Sequence, residues 1–316
     1  MDRKKLLMIY NQKAGISGSM NDLFQCIEYL SVHGYEVTIF PVVPKKGLTC
    51  ESILEKSKGE YDQYFICGGD GTLNHATNGM IANDLHAPIS YVPVGSTNDF
   101  SKSLYGNRNH SFKDICRFIT HGEPFSFDVG KFNDSYFNYV AGFGVFPSVS
   151  YTTPQDMKNR LGYVAYVLNF LTTIPGGLTY KKHCKITHDG IVDEGDFMLG
   201  LITNSISVAG TQPGVIKKSS LNDGVFEALL IKANPSPIDV AEMIAAFNGN
   251  RDHCNGVLTF QFKKAAFEFE DEVPWTLDGE DGGNVQNSKI SVIPERITVF
   301  VPKKKGAPKL DEVSRN

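Results

Sequence analysis

No run of about 18 apolar residues occurs in the 316-residue sequence, so no segment reads as a membrane-spanning helix. No CxxC pair occurs either. The six cysteines, Cys26, Cys50, Cys67, Cys116, Cys184 and Cys254, are scattered, which argues against a zinc site. At this length they also argue against a disulfide framework and fit a reducing cytosol. The start, MDRKKLLMIYNQKAG, has too short an apolar run for a signal peptide. Charge of one sign is lacking too: 31 Lys and Arg face 35 Asp and Glu, a net charge of −4. That excludes a nucleic-acid binder running on bulk positive charge. There is one tryptophan, Trp275, read as a packing residue. These absences leave a cytoplasmic globular protein whose membrane contact is peripheral. A homodimer is compatible with the sequence and not specified by it.

What is present is alternation. LLMIYN (6–11), EVTIFPVV (36–43), QYFIC (63–67) and ISYVPV (89–94) read as strands. Between them, MNDLFQCIEYLSVHG (20–34), CESILEKSK, TLNHATNGMIAN, NDFSKSL and FKDICRFITHG (112–122) read as helices. Strands alternating with helices predict an open α/β sheet with parallel pairing. After about residue 125 the texture becomes short strands with tight turns, which predicts antiparallel β structure. Helical stretches at 161–174 and 238–249 interrupt it. The expected division is 1–125, an α/β domain, and 126–296, a β-rich domain, with 297–316 a candidate return to the first.

The glycines carry the chemistry. CGGDGTLNHATNGM (67–80) places Gly68, Gly69 and Gly71 between a strand and a helix, with Asp70 among them. Glycine lets bare backbone approach a ligand, and a helix N-terminus, here with Thr72 as its cap, suits phosphate. A carboxylate there repels phosphate unless a cation lies between, so Asp70 points to Mg²⁺ or to proton handling. YVPVGSTNDFSKSL (91–104) repeats the design with Gly95, Ser96, Thr97, Asn98 and Asp99. NQKAGISGS adds Asn11, Lys13, Gly15 and Gly18 at a third strand end.

These loops resemble the signature of the diacylglycerol kinase-type catalytic domain family, which includes bacterial lipid kinases and the sphingosine and ceramide kinases. The family patterns are GGDGTxNEVxNG, then PxGTxNDFAR about twenty residues on, and an NPxSG opening. VPWTLDGEDG (273–282) resembles the late DGE of the family, and SSLNDGVFEALLI (219–231) its DG segment before a strand. The resemblance spans nearly the whole chain in order. It implies a fold like that of NAD kinases and phosphofructokinases in the first domain, a three-layer α/β arrangement, with the active site in the cleft between domains. It implies ATP as co-substrate, Mg²⁺ and a lipid alcohol, most simply diacylglycerol. Asp70 would belong to the catalytic Mg²⁺–ATP site. Gly68, Gly69, Gly71, Thr72, Asn74, Ser96 and Asn11 would hold the nucleotide. Asp99 and Asp128 would complete an acidic cluster with Asp70 that binds metal through water. Glu280 would be the general base. Ser220, Asp223 and Val225 would form a structural Mg²⁺ site, with Asp278 nearby.

The chain departs from the family pattern at named places. His75 stands for glutamate, Ser96 for threonine and Lys102 for arginine, and Val42 and Val43 replace a threonine that contacts nucleotide. Two other readings stay open on sequence: a soluble NAD kinase-like phosphotransferase, and a nucleotide- or lipid-binding module without catalysis. The aromatic stretch Tyr163, Tyr166, Leu168, Phe170 and Leu171 reads as core or as a lipid-tunnel wall. Lys158, Arg160, Lys181 and Lys182 flank it and could attract an anionic membrane.

Overall fold

The computed structural model describes residues 3–11, 20–95, 98–106, 110–144, 180–204, 220–247 and 254–303. Four strands form its parallel part: β1 (Lys4–Tyr10), β2 (Tyr35–Pro41), β3 (Gln63–Gly68) and β4 (Ile89–Pro93). They pair in the order β4-β3-β1-β2. Leu6 to Ile9 and Phe65 to Cys67 are fully buried, the continuous apolar runs expected of strands covered on both faces. The connections are α1 (Met20–Val32), α2 (Cys50–Lys56), α3 (Asp70–Ala82), α4 (Asp99–Tyr105) and α5 (Phe112–His121). Thr49 and Ser111 start α2 and α5 with reciprocal capping boxes, on Ser52 and Asp114.

The rest is antiparallel: β5 (Glu123–Phe132), β6 (Ser135–Phe137), β7 (Val140–Gly144), β8 (Lys182–His188), β9 (Ile191–Thr203), β10 (Phe226–Lys232), β11 (Val257–Phe262), β12 (Lys264–Leu277) and β13 (Glu280–Val301). One helix, α6 (Pro237–Phe247), separates β10 from β11. β7, β12, β8 and β9 pair in a closed ring around a second core. Trp275 sits inside it, its ring 4.8 Å from that of Phe143 and 4.9 Å from that of Phe132.

β13 is the link that matters for function. Its far end pairs in parallel with β4 through Val299 and Ile89, and along its length with β5. The chain therefore returns to the parallel strands after 297, while Glu280, at the near end of the same strand, stays beside β12. Among the described residues, thirteen strands form one connected sheet of mixed parallel and antiparallel pairing. The chain holds a single disulfide rather than a framework: Cys26 of α1 is joined to Cys116 of α5. Cys50, Cys67 and Cys184 are buried and free. The helical stretch expected at 161–174, Lys158 and Arg160 lie outside the described residues. Lys181 and Lys182 are paired with Asp196 and Asp271 rather than standing as free cations. Among the described residues no helix is long and apolar enough to cross a membrane.

Candidate active site

β3 and β4 run side by side in one direction, so their C-terminal ends bring the two glycine loops together. The contact is backbone on backbone. A Cβ on Gly95 would stand 2.6 Å from Cα of Gly69, so neither position tolerates a side chain without movement. Asn98, in the left-handed region at φ 50°, braces the second loop. Its Oδ1 accepts from Gly95 N at 2.9 Å and its Nδ2 donates to Gly95 O at 2.7 Å. α4 starts immediately after it.

Asp70 is the first residue of α3, and its carboxylate faces the start of α4. Asp70 Oδ2 accepts from Asp99 N at 2.8 Å. Oδ1 receives two longer bonds of 3.4 Å, from Phe100 N and from the Tyr91 hydroxyl. Burial, with the like charges of Asp99 and Asp278 adding to it, pushes the Asp70 carboxyl up to about 7. Asp99 is itself buried and held by Lys102 Nζ at 2.7 Å. Lys102, the replacement for arginine, thus keeps a charge-pairing role.

Helix α3 begins two residues earlier than the sequence suggests. Gly69 is its N-cap, and Thr72 is not a cap but lies in the first turn. The Thr72 hydroxyl oxygen instead accepts from Asn11 Nδ2 at 2.9 Å, which ties the end of β1 to the glycine turn. Asn74, one turn on, donates to Asp278 Oδ2 at 2.9 Å and to Tyr136 O at 3.0 Å.

Asp278 occupies the tight turn between β12 and β13, at φ 53°. It is buried, and burial pushes its carboxyl up while its hydrogen bonds pull the other way. Besides Asn74 it accepts from Asn138 N at 2.7 Å, Asn138 Nδ2 at 3.1 Å, Tyr139 N at 3.0 Å and Val140 N at 3.1 Å. This hub fastens the turn onto α3. The result is that Glu280 Oε1 lies where a Cβ on Gly71 would stand. Glu280, 210 positions from Asp70 in the chain, thereby reaches the start of α3, the helix whose first residue is Asp70.

Asp128 does not join them. It is fully buried, and its carboxylate accepts from Gly224 N at 2.7 Å and Glu295 N at 2.8 Å. The charges that act on it are Asp223 and Glu295, whereas those acting on Asp70 are Asp99 and Asp278. Ser220, Asp223 and Val225 share the turn that Asp128 clamps. Asp223 Oδ2 accepts from Ser220 N at 3.1 Å and Oδ1 from Val225 N at 3.2 Å. Among the described residues no three acidic, histidine or cysteine side chains converge on a common metal position. Ser96 and residues 12–19 lie outside the described residues.

Sequence reasoning missed three participants. Tyr91 touches Asp70 from inside a strand that looked purely apolar. Asn98 was legible only as a polar loop residue, although an asparagine is a natural occupant of the left-handed region. Glu51 meets His75 across the α2–α3 packing, for which nothing in the local sequence gives a sign.

Residues 5–132 match the family model of the diacylglycerol kinase catalytic domain. A diacylglycerol kinase of Bacillus subtilis (strain 168) is 30% identical, over 98% of this chain and the whole of that relative. The chain belongs to the diacylglycerol kinase catalytic-domain family. It is a lipid kinase by class. Another family member, a diacylglycerol kinase of Staphylococcus carnosus (strain TM300), is 27% identical over 95% of this chain and 96% of its own. The fold matches the crystal structure of a diacylglycerol kinase from Bacillus anthracis str. Sterne, with a TM-score of 0.73 at 23% identity, covering 95% of this chain and 98% of that one.

Proposed function

We propose that this lipid kinase transfers the γ-phosphoryl group of ATP, taken as its magnesium complex, to the free hydroxyl of diacylglycerol, giving phosphatidic acid. The observation that carries the reading is the placement of the Glu280 carboxyl over Gly71, next to Asp70. Phosphoryl transfer needs positioning, charge neutralisation and a base at the acceptor. Residues 1–125 supply the nucleotide side and 126–296 the lipid side, and the two meet at this point.

The donor set fits magnesium. Mg²⁺ is commonly held by one or two carboxylates together with substrate phosphates and water, not by a cage built wholly of protein. Asp70, with Asp99 behind it, is such a set, and burial together with the neighbouring acids Asp99 and Asp278 raises the Asp70 carboxyl, which a cation would offset. Magnesium there would neutralise charge on the phosphate oxygens. The chain's own residues do the rest. Gly68, Gly69, Gly71 and Thr72 present the N–H groups at the start of α3 to phosphate. Ser96 and Asn11 complete the nucleotide contacts. Asn74 serves by holding Asp278, which holds the Glu280 turn. As the lipid hydroxyl oxygen bonds to the γ-phosphorus, the bond to the bridging oxygen breaks, ADP leaves, and the hydroxyl proton passes to Glu280. Ser220, Asp223 and Val225 would hold a second, structural Mg²⁺ with Asp128 fixing their turn. The enzyme would work in the cytoplasm, docked peripherally on the membrane that carries its substrate.

The test is to incubate the pure protein with labelled ATP and Mg²⁺ and offer dispersed diacylglycerol, sphingosine, ceramide and NAD separately. Label is expected in phosphatidic acid. Label in NADP with none in lipid, or no transfer to any acceptor, overturns the reading.

A further inference from the structure

One ion pair at the rim of the site has no part in the roles above. His75 and Glu51 are partly exposed, with side-chain exposures of 52% and 40%, and Nδ1 of His75 is hydrogen-bonded to Glu51 Oε1. His75 follows Gly71 by four residues on α3, so the two share a face one turn apart. One turn is about 6 Å along the axis, and helical side chains lean towards the helix N-terminus. The imidazole of His75 therefore stands on the Gly71 side of α3, beyond ion-pair distance of the Glu280 carboxyl that approaches Gly71. The groups that face it are both acidic: Glu51 from α2 and Glu280 from β13. The hydrogen bond that His75 donates to Glu51 raises the His75 pKa first, burial opposes, and the charges of Glu51 and then Glu280 add to the rise.

We propose that His75 is a positioning residue for Glu280: carried as an imidazolium by Glu51, it attracts the Glu280 carboxylate through space, without an ion-pair contact, and so biases it to stay over Gly71 in line with the acceptor hydroxyl. This role rests on the reading of Glu280 as the acceptor-side base. The cation is present below the raised His75 pKa and lost above it, so positioning fails on the alkaline side.

The experiment compares His75→Gln, His75→Arg and Glu51→Gln with wild type, measuring kcat, KM for ATP and the pH profile with dispersed diacylglycerol. His75→Gln is expected to lower kcat roughly five- to tenfold with KM for ATP unchanged, and to remove the alkaline fall. His75→Arg, a permanent cation, is expected to restore most of kcat and to keep it at alkaline pH. Glu51→Gln is expected to move the alkaline fall to lower pH. A His75→Gln enzyme with wild-type kcat and an unchanged profile overturns the proposal, as does failure of arginine to rescue. A second readout needs no turnover. The His75 ring, followed by NMR, should titrate at lower pH in Glu280→Gln than in wild type. An unmoved midpoint shows that Glu280 does not reach His75 and also overturns the proposal. Full activity in Glu280→Gln would instead remove the base assignment itself, so the two failures are distinguishable.

Discussion

Asp70 and Asp278 are two carboxylates buried within one site, and the protein treats them in opposite ways. Asp278 accepts five hydrogen bonds, none longer than 3.1 Å. Asp70 accepts one good bond, of 2.8 Å, and two of 3.4 Å. Burial raises both. At Asp278 the donors are three backbone N–H groups and the side-chain amides of Asn74 and Asn138, so the carboxylate is part of the architecture. At Asp70 the deficit is left open, facing the loops where phosphate would lie. A satisfied acid marks a joint, and an under-satisfied one marks a place for a cation or a proton.

The largest effect should come from breaking Asp70's chemistry. Asparagine keeps an oxygen for Asp99 N, so Asp70→Asn should fold normally yet lose about a thousandfold or more in kcat. Near-normal turnover in a steady-state assay would reverse the roles assigned to the two acids. Asp278→Ala should fail differently. It leaves the N–H groups of residues 138–140 and the Asn138 side-chain amide without an acceptor, so unfolding free energy should fall by about 3 kcal/mol. Denaturant titration measures it, and a stable, inactive Asp278→Ala protein would make that residue chemical after all.

That contrast also divides what could be read from sequence. The strand–glycine–helix units at 63–82 and 89–105 were legible because each is local: apolar run, turn, helix. Their residue types pointed to phosphate and metal before any coordinates. The pairing of Gly69 with Gly95 was not legible, because it needs the register of two parallel strands. Placement of Glu280 rested on resemblance alone; its physical cause is the Asp278 hub, assembled from α3, the loop after β6 and the β12–β13 turn. Asp128 shows the limit. The family resemblance alone assigned it to a metal cluster, and its neighbours make it a clamp for the 221–224 turn. The start of α3 was misplaced by two residues because glycine is a weak helix former, and Gly69 and Gly71 hid the first turn.

Gly71→Ala probes the meeting point of the two regions with a smaller effect. The new methyl group would occupy the position of Glu280 Oε1, the free end of a flexible side chain, so the fold should hold and the carboxyl should move. Helix propensity favours alanine over glycine by about 1 kcal/mol. Stability should therefore stay level or rise while kcat falls by about a hundredfold, the scale of a 1 Å misplacement. Activity and melting temperature moving together would break the link between Gly71 and Glu280.

The smallest effect sharpens the comparison at Asp70 itself, in metal-free protein kept in chelator. Its folded-state pKa of about 7 lies above the unfolded value near 4. Between about pH 4 and 7 the native state holds a proton that the unfolded chain has released, so the contribution of Asp70 to stability falls as pH rises through that window and is level above it. Asp70→Asn has no such proton to lose. The variant should match wild type near pH 4 and exceed it by about 1–2 kcal/mol at pH 8, allowing for the partial exposure of the group. Asp278→Asn gives the matching control: it removes an acceptor oxygen from five donors, so it should be less stable than wild type at both pH values. An Asp70→Asn protein equal to wild type at pH 8 would mean that the carboxylate finds its compensation within the fold, and that its long hydrogen bonds leave no deficit for a cation to fill.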